Sequence, residues 1–364
     1  MQMMQGETRE RPRQSTASSP WSAGECDRSR RLWGGALRGL AQRALESSGV
    51  ASGNATAVAT ALVRADMDCI SSHGVALLPQ YAAHARCGRV DGRAVPTTSV
   101  IGSAAIRVDA HHGFAYPAIA TANRGLLKIA GTTGVAAAAI CRTHHSGVLG
   151  HHVEDLADEG LAALMVCNSP RTIAAPGGTV PLFGTNPIAF ACPRHGHPPL
   201  VIDLSMGVVT QGRINLAAQR GTSILEGWAL DKNGQPTTNP VAALHGTLAA
   251  FGGGKGAALA MIIDLVAGLL TGSNLSSECS SFFHDSGAPL ATGAMVVAFD
   301  PIMFGGTAFA DRVARLCTLI ASEPNVRLPG DRRLAERRRQ AAEGITISTE
   351  LLIKLQQMAE RHPL

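Results

Sequence analysis

Residues 135–167 read VAAAAICRTHHSGVLGHHVEDLADEGLAALMVC, and this stretch decides the fold class. Val135 to Cys141 is an apolar run of strand length. Val153 to Glu159 has helical spacing and is closed by Gly160, and Ala162 to Cys167 is a second apolar run. Short apolar runs bounded by polar residues read as buried strands, and a helix between two of them implies a layered sheet. The same alternation extends outward. Upstream, Ala104 to Val108 reads as a strand and Ile119 to Ala130 as a helix closed by Gly131. Downstream, Ile188 to Ala191, Leu200 to Leu204 and Met295 to Phe299 read as strands, and Ala310 to Ala321 as a helix. Two helices are expected between Leu37 and Asp66, broken at Ser47-Ser48-Gly49, with a third through Tyr81 and Ala85. Residues 1–32 are polar and lack an apolar period, and are expected to form a disordered extension.

Composition narrows the function classes. The chain has 364 residues, 45% of them hydrophobic and 16% charged, which suits a compact enzyme-like protein and opposes a disordered or fibrous one. The net charge of +5 comes largely from Arg9 to Arg31 and from Arg332, Arg333, Arg337, Arg338 and Arg339. Both groups read as solvated segments, and the low aromatic content gives no base-stacking surface, so no nucleic-acid partner is expected. The eight cysteines form no C-x-x-C pair, which favours a reducing compartment over a zinc ribbon or a disulfide scaffold. No apolar h-region stands at the N-terminus, and the Ala257 to Leu270 run is too short to span a bilayer. A cytoplasmic protein without membrane contact is therefore expected.

Five segments could carry chemistry. Ser72-His73-Gly74 follows a helix-like run and presents an imidazole beside a small hydroxyl, a good arrangement for proton transfer near neutrality. His144-His145-Ser146-Gly147 and His151-His152 follow the Val135 to Cys141 strand. They have no standard metal-ligand spacing, so a polar pocket wall is expected there and no metal. The loops Asn168-Ser169-Pro170 and Gly184-Thr185-Asn186-Pro187 offer amides and hydroxyls to a polar ligand. Asp203, in Val201-Ile202-Asp203-Leu204-Ser205, is a strand-end carboxylate that needs a partner if buried. Gly252-Gly253-Gly254-Lys255-Gly256 opens a helix as a phosphate cradle would, but it is neither a Walker A loop nor a Rossmann fingerprint.

The order of these motifs resembles the malate/L-lactate dehydrogenase-like family of NAD(P)-dependent oxidoreductases. The series runs from Ser72-His73-Gly74, Leu78-Pro79 and Tyr81 through His144-His145-x-Gly147 and Phe183-Gly184-Thr185-Asn186-Pro187. It continues with Ile202-Asp203, Glu226-Gly227-Trp228-Ala229-x-Asp231, Gly253-x-Lys255-Gly256 and Leu328-Pro329-Gly330. That family includes sulfolactate and ureidoglycolate dehydrogenases and Δ1-piperideine-2-carboxylate/Δ1-pyrroline-2-carboxylate reductases.

The resemblance implies a non-Rossmann, mixed-sheet α/β fold of the sulfolactate dehydrogenase-like type with N-terminal helices, as a homodimer. It divides the chain into the extension 1–32, a helical part 33–110 and an α/β domain 111–325. A C-terminal segment 326–364 would return to the N-terminal part. It implies His73 as proton donor, with Ser72 and Asp203 orienting it and His145 as a second catalytic group. His144, Thr185 and Asn186 would meet a small 2-oxo or cyclic imino acid. Ser169, Ile202, Leu204, Ser205, Met206, Lys255, Gly256 and Gly330 would contact NAD or NADP. Leu77 stands where the family usually carries an arginine suited to a bidentate carboxylate grip. Arg171 is one cation that could replace it. The departure leaves an alternative, a dinucleotide-binding member with a decayed substrate site.

Overall fold

A computed structural model describes residues 29–360. The chain opens with strand β1 (Ser29–Leu32) and helices α1 (Gly34–Glu46), α2 (Ser52–Met67) and α3 (Leu78–Arg86). The hairpin β2 (Thr97–Gly102) and β3 (Ala105–Asp109) leads into α4 (Ala115–Thr133), β4 (Val135–Thr143), α5 (Leu149–Asp158) and β5 (Ala162–Cys167). Two short strands, β6 (Ile173–Ala174) and β7 (Pro181–Phe183), precede the hairpin β8 (Ile188–Arg194) and β9 (His197–Leu204). Then come α6 (Gln211–Arg220), β10 (Ala229–Leu230), β11 (Pro236–Thr237), α7 (Pro240–Leu244), β12 (Thr247–Leu248) and α8 (Gly254–Asp264). The described chain finishes with β13 (Thr292–Phe299), α9 (Pro301–Gly305), α10 (Phe309–Ala321), α11 (Asp331–Glu343), β14 (Ile345–Ser348) and α12 (Thr349–Ala359).

The main sheet has seven strands in the order β2-β3-β4-β13-β5-β8-β9. Only β3 and β4 run parallel; every other pair in it is antiparallel. The expected mixed sheet is therefore observed, and its late strand β13 sits between β4 and β5. Helices α4 and α5 cover one face, with Ile119, Leu126, Leu149, Val153 and Leu156 packed on Ile106, Val108, Ile140, Met165 and Val296. Alanines 136, 138, 163 and 294 keep this surface low, so the helices lie close to the strands. On the other side of β5, Val166 joins a second core with Met206, Val209, Ile214, Ala257, Ala260 and Ile263.

The N-terminal helices form a third core. Leu37, Leu45, Leu62, Leu78 and Tyr81 pack with Ile345, Ile347, Leu355 and Met358 from the C-terminus. Strand β1 pairs antiparallel with β14, which ties the first described residues to the last helices. Ser29 to Leu32 thus belong to the fold, although the stretch 1–32 was expected to be an extension; residues 1–28 lie outside the described residues. The apolar run expected as one helix to Leu270 ends as α-helix at Asp264 and continues as a π-turn over Leu265–Leu269.

The C-terminal basic run departs most from its sequence reading. It forms α11 instead of a solvated segment, and Arg333 is buried. Arg337 donates from Nε to Asp68 Oδ1 at 2.6 Å and from Nη2 to Glu154 Oε2 at 3.0 Å. Arg64 donates to Glu154 at 2.8 Å, and His151 Nε2 meets Asp68 Oδ2 at 2.8 Å. Burial alone would raise the Asp68 carboxyl, but the bonds from Arg337 and His151 hold it down to about 2. Removing one member of such a buried set leaves uncompensated charge, at about 3–5 kcal/mol. Arg337→Met should lose about that much stability in urea denaturation at pH 7, whereas Arg338→Met, on the exposed side of α11, should leave the midpoint unchanged.

Candidate active site

After α2 the backbone makes a single 3-10 turn over Ser71–His73 and a second over Val75–Leu77. Between them Asp66 Oδ2 accepts the Val75 N–H at 2.8 Å. Its carboxylate passes so close to Gly74 that a Cβ there would lie 1.9 Å from Asp66 Oδ1. Glycine is therefore required immediately after the histidine. Burial pushes the Asp66 carboxyl up to about 7.

His73 is half-buried, and its Nδ1 lies 3.0 Å from Ser72 Oγ. Its ring stacks on His145, with centroids 5.4 Å apart and planes 23° from parallel. His145 Nδ1 meets Tyr81 Oη at 2.6 Å, and Tyr81 Oη meets Tyr116 Oη at 3.1 Å. Phe282 closes the other side, 5.0 Å from the His145 ring. Burial pushes His73 down to about 4. Burial, reinforced by the neighbouring His73, pushes His145 down to about 3. Two stacked imidazoles so placed are neutral in the free protein at pH 7.

His145 belongs to a loop that links two regions. At its far end the Gly150 N–H donates to Asp203 Oδ2 at 2.8 Å. Asp203 is an exposed residue near the end of β9, and desolvation of its carboxyl group by the surrounding protein pushes that group up. The expected orienting pair is thus divided. Ser72 meets His73 directly, while Asp203 is held by Gly150 and makes no hydrogen bond to His73.

Two residues expected at the substrate are buried in the free protein. His144 is buried, its Nε2 2.8 Å from His84 Nδ1, and its Nδ1 has no hydrogen-bond partner among the described residues. Asn186 is fully buried, with φ +30°. Its Oδ1 accepts from Ser169 N and Ser276 Oγ, and its Nδ2 donates to Ala260 O. It pins the loop to α8. Thr185 stays half-buried, 3.2 Å from Ser169 Oγ, and Met206 N donates to Thr185 O. The remaining histidines bond inward, His151 to Asp68 and His152 to the Ser146 carbonyl.

The residues expected at a dinucleotide gather around the end of β9. Ile202 and Leu204 belong to that strand, and Ser205 and Met206 continue it. Phe251 N donates to Met206 O, which places the glycine turn before α8 beside them. Gly252 and Gly253 both have φ +63°, which favours glycine, and a Cβ on Gly256 would meet Phe251 O at 1.7 Å. The first turn of α8 leaves amides without intrahelical acceptors and carries exposed Lys255. Gly330, at φ +87°, starts α11 against the Val201 carbonyl. A cradle of free amides, a cation and small residues fits a diphosphate.

Sequence reasoning missed Tyr116, Phe282 and Arg333. Tyr116 fills the space that a Cβ on Gly147 would need, 2.5 Å from its hydroxyl, so the glycine in His-His-Ser-Gly was the available signal. Phe282 and Arg333 arrive from distant loops and helices and carry no local signal.

A sequence model of malate/L-lactate dehydrogenase matches residues 35–356. The chain belongs to the malate/L-lactate dehydrogenase family. It is 46% identical over 299 residues to a (2R)-3-sulfolactate dehydrogenase (NADP(+)) of Chromohalobacter salexigens, covering 82% of this chain and 89% of that one. It is 41% identical over 296 residues to a Δ1-pyrroline-2-carboxylate/Δ1-piperideine-2-carboxylate reductase of Pseudomonas syringae pv. tomato, covering 81% and 86%. The crystal structure of Δ1-piperideine-2-carboxylate reductase from Pseudomonas syringae superposes with a TM-score of 0.86 at 38% identity, over 90% of this chain and 99% of that one. The fold, the family and the class of NAD(P)-dependent oxidoreductase are those that the motif order implied.

Asp66 gives the local scaffold a pH dependence. Its folded pKa of about 7 stands above the unfolded value of 3.8, so the native state holds an extra proton between them. That stabilisation is complete below about pH 4 and is lost as pH rises towards and through 7. Urea midpoints measured from pH 4.5 to 7.5 should fall more steeply for the wild type than for Asp66→Asn.

Proposed function

We propose that the protein uses NAD(P)H to reduce a small 2-oxo acid or a cyclic imino acid, with His73 donating the proton. The observation that carries this reading is the 144–150 segment, the loop after β4 with the first residues of α5. On one side it stacks His145 on His73, and on the other it bonds the β9 end around which the dinucleotide residues gather. Both relatives named above act on compounds of these two classes by their names. When bound, the nicotinamide supplies the hydride. The chain's own groups position and protonate. Ser72 Oγ accepts from His73 Nδ1–H, which leaves Nε2 to deliver its proton to the nascent hydroxyl or amine. Lys255 and the α8 amides hold the diphosphate, with Ser169, Ile202, Leu204, Ser205, Met206, Gly256 and Gly330 around the cofactor.

The test is NADH and NADPH oxidation with pyruvate, oxaloacetate, sulfopyruvate and Δ1-pyrroline-2-carboxylate. His73→Ala should lower kcat by about 10²–10⁴-fold with dinucleotide binding unchanged. Because burial holds His73 near 4, its protonated fraction falls tenfold per pH unit above that. The wild-type kcat/KM for reduction should therefore decline from pH 6 to 9, and the slope should vanish in His73→Ala.

One observation favours a second reading. Leu77 packs in the apolar cluster with Tyr81 and Phe282, and Arg171 is exposed, bonded through its backbone to Ser276. If no substrate in the panel turns over while Leu77→Arg turns over one, the protein is a dinucleotide-binding member with a decayed substrate site.

The working unit we propose is a cytoplasmic homodimer. Among the described residues no helix is long and apolar enough to cross a membrane, and seven cysteines are free thiols. Met261, Ile262, Leu265 and Leu269 form an exposed apolar stripe along α8 and its π-turn, a surface that a second copy would cover. Light scattering should give twice the chain mass, and Leu265→Glu should give a monomer.

A further inference from the structure

We infer that Tyr81 is a positioning residue that fixes His145 as the neutral Nε2–H tautomer, which makes it a permanent hydrogen-bond donor beside His73. Tyr116 Oη, Tyr81 Oη and His145 Nδ1 make two contacts in a row, at 3.1 and 2.6 Å. The contact between the hydroxyls is buried, and Tyr81 is the only hydrogen-bond partner of Tyr116 Oη among the described residues. Burial raises the Tyr81 hydroxyl well above its usual value and Tyr116 to about 12, so each keeps its proton.

Two contacts need two protons, and the two hydroxyls supply them. Tyr116 donates to Tyr81, and Tyr81 donates to His145 Nδ1. A proton on Nδ1, in the other tautomer or in the imidazolium, would put three protons on two contacts. One buried hydroxyl would then donate to nothing, at the cost of an unsatisfied buried group. The count therefore excludes a cationic His145 as well as its Nδ1–H form. Nε2 of His145 has no partner among the described residues and is not among the buried polar atoms that lack one, so it reaches the open side of the half-buried ring. Of the two stacked imidazoles, His73 alone can carry the transferable proton; its Nδ1 partner, Ser72 Oγ, can accept as well as donate.

This assigns the stack a division of labour and rests on the reading that substrate binds beside it. His145 offers a neutral N–H to a substrate carboxylate oxygen, where Leu77 supplies no cation, and His73 supplies the proton. In the glutamine variant of His145 an amide N–H stands near the Nε2 position, and in the asparagine variant near Nδ1.

The experiment is ¹⁵N-detected NMR of histidine-labelled protein at pH 7, with steady-state kinetics of His145→Gln and His145→Asn. His145 should show a protonated Nε2 and an unprotonated Nδ1. Tyr81→Phe should shift both nitrogens towards a tautomer average, while Tyr116→Phe, which leaves Tyr81 still donating, should not. His145→Gln should keep KM within about threefold and His145→Asn should raise it tenfold or more, with kcat moving less in both. A wild-type His145 protonated on Nδ1, or equal KM values for the two amides, would overturn the inference. The NMR measurement needs no substrate, so it stands or falls separately from the turnover panel. If Tyr81→Phe does not fold, the wild-type spectrum still decides.

Discussion

Two buried carboxylates, Asp68 and Glu154, hold together the three segments on which the site is built. Asp68 caps α2, a few residues before His73; Glu154 lies on α5, after the His145 loop; and Arg333 and Arg337 come from α11, which follows Gly330. No two of these segments are neighbours in the chain. Desolvation makes each carboxylate costly alone, and the arginines offset that cost only while all three helices are in place. The network therefore specifies a relative position as well as adding stability. The imidazole stack and the loops around the end of β9 inherit their spacing from it.

The parts of the fold that were legible in the sequence are those where one physical signal dominates. The Val135 and Ala162 runs, the helix between them and the Met295 strand show apolar periodicity undisturbed by function, and they stand within a few residues of where that signal placed them. The misreadings have a common cause. The arginine run of α11 reads as solvated because composition cannot show that two carboxylates wait 180 residues or more upstream. The two-residue strands β6, β10, β11 and β12 are too short to carry a period, and the tail of α8 hides a π-turn that no residue pattern announces.

The site divides along the same line. His73, its serine and the obligatory Gly74 are contiguous, so their chemistry could be read directly. Asn186 has the residue type of a ligand group, yet its amide is taken up by internal bonds that exist only after folding, and His144 is buried against His84. Conversely Tyr116 and Phe282 look like core aromatics in sequence and prove to shape the imidazole stack. Residue type indicates what a group can do. Whether it remains free to do so depends on partners far away in the chain.

The pairing of β1 with β14 bears on how the molecule comes into being. Ser47 Oγ bonds the Met358 carbonyl, Asp68 waits for Arg337, and the helical core around Leu37 and Leu62 is sealed by Ile345 and Leu355. On the ribosome α1 to α3 therefore emerge with an apolar face and an acid, Asp68, whose partners include C-terminal elements made much later. Contacts of such long sequence separation form late, after most of the loop-closure entropy has been lost. The sheet around β4 and β5 can assemble earlier, but the layer that carries His73 closes last. His73 is therefore held in place only after α11, β14 and α12 have been made, and until then the unsealed helical layer is a surface open to misassociation.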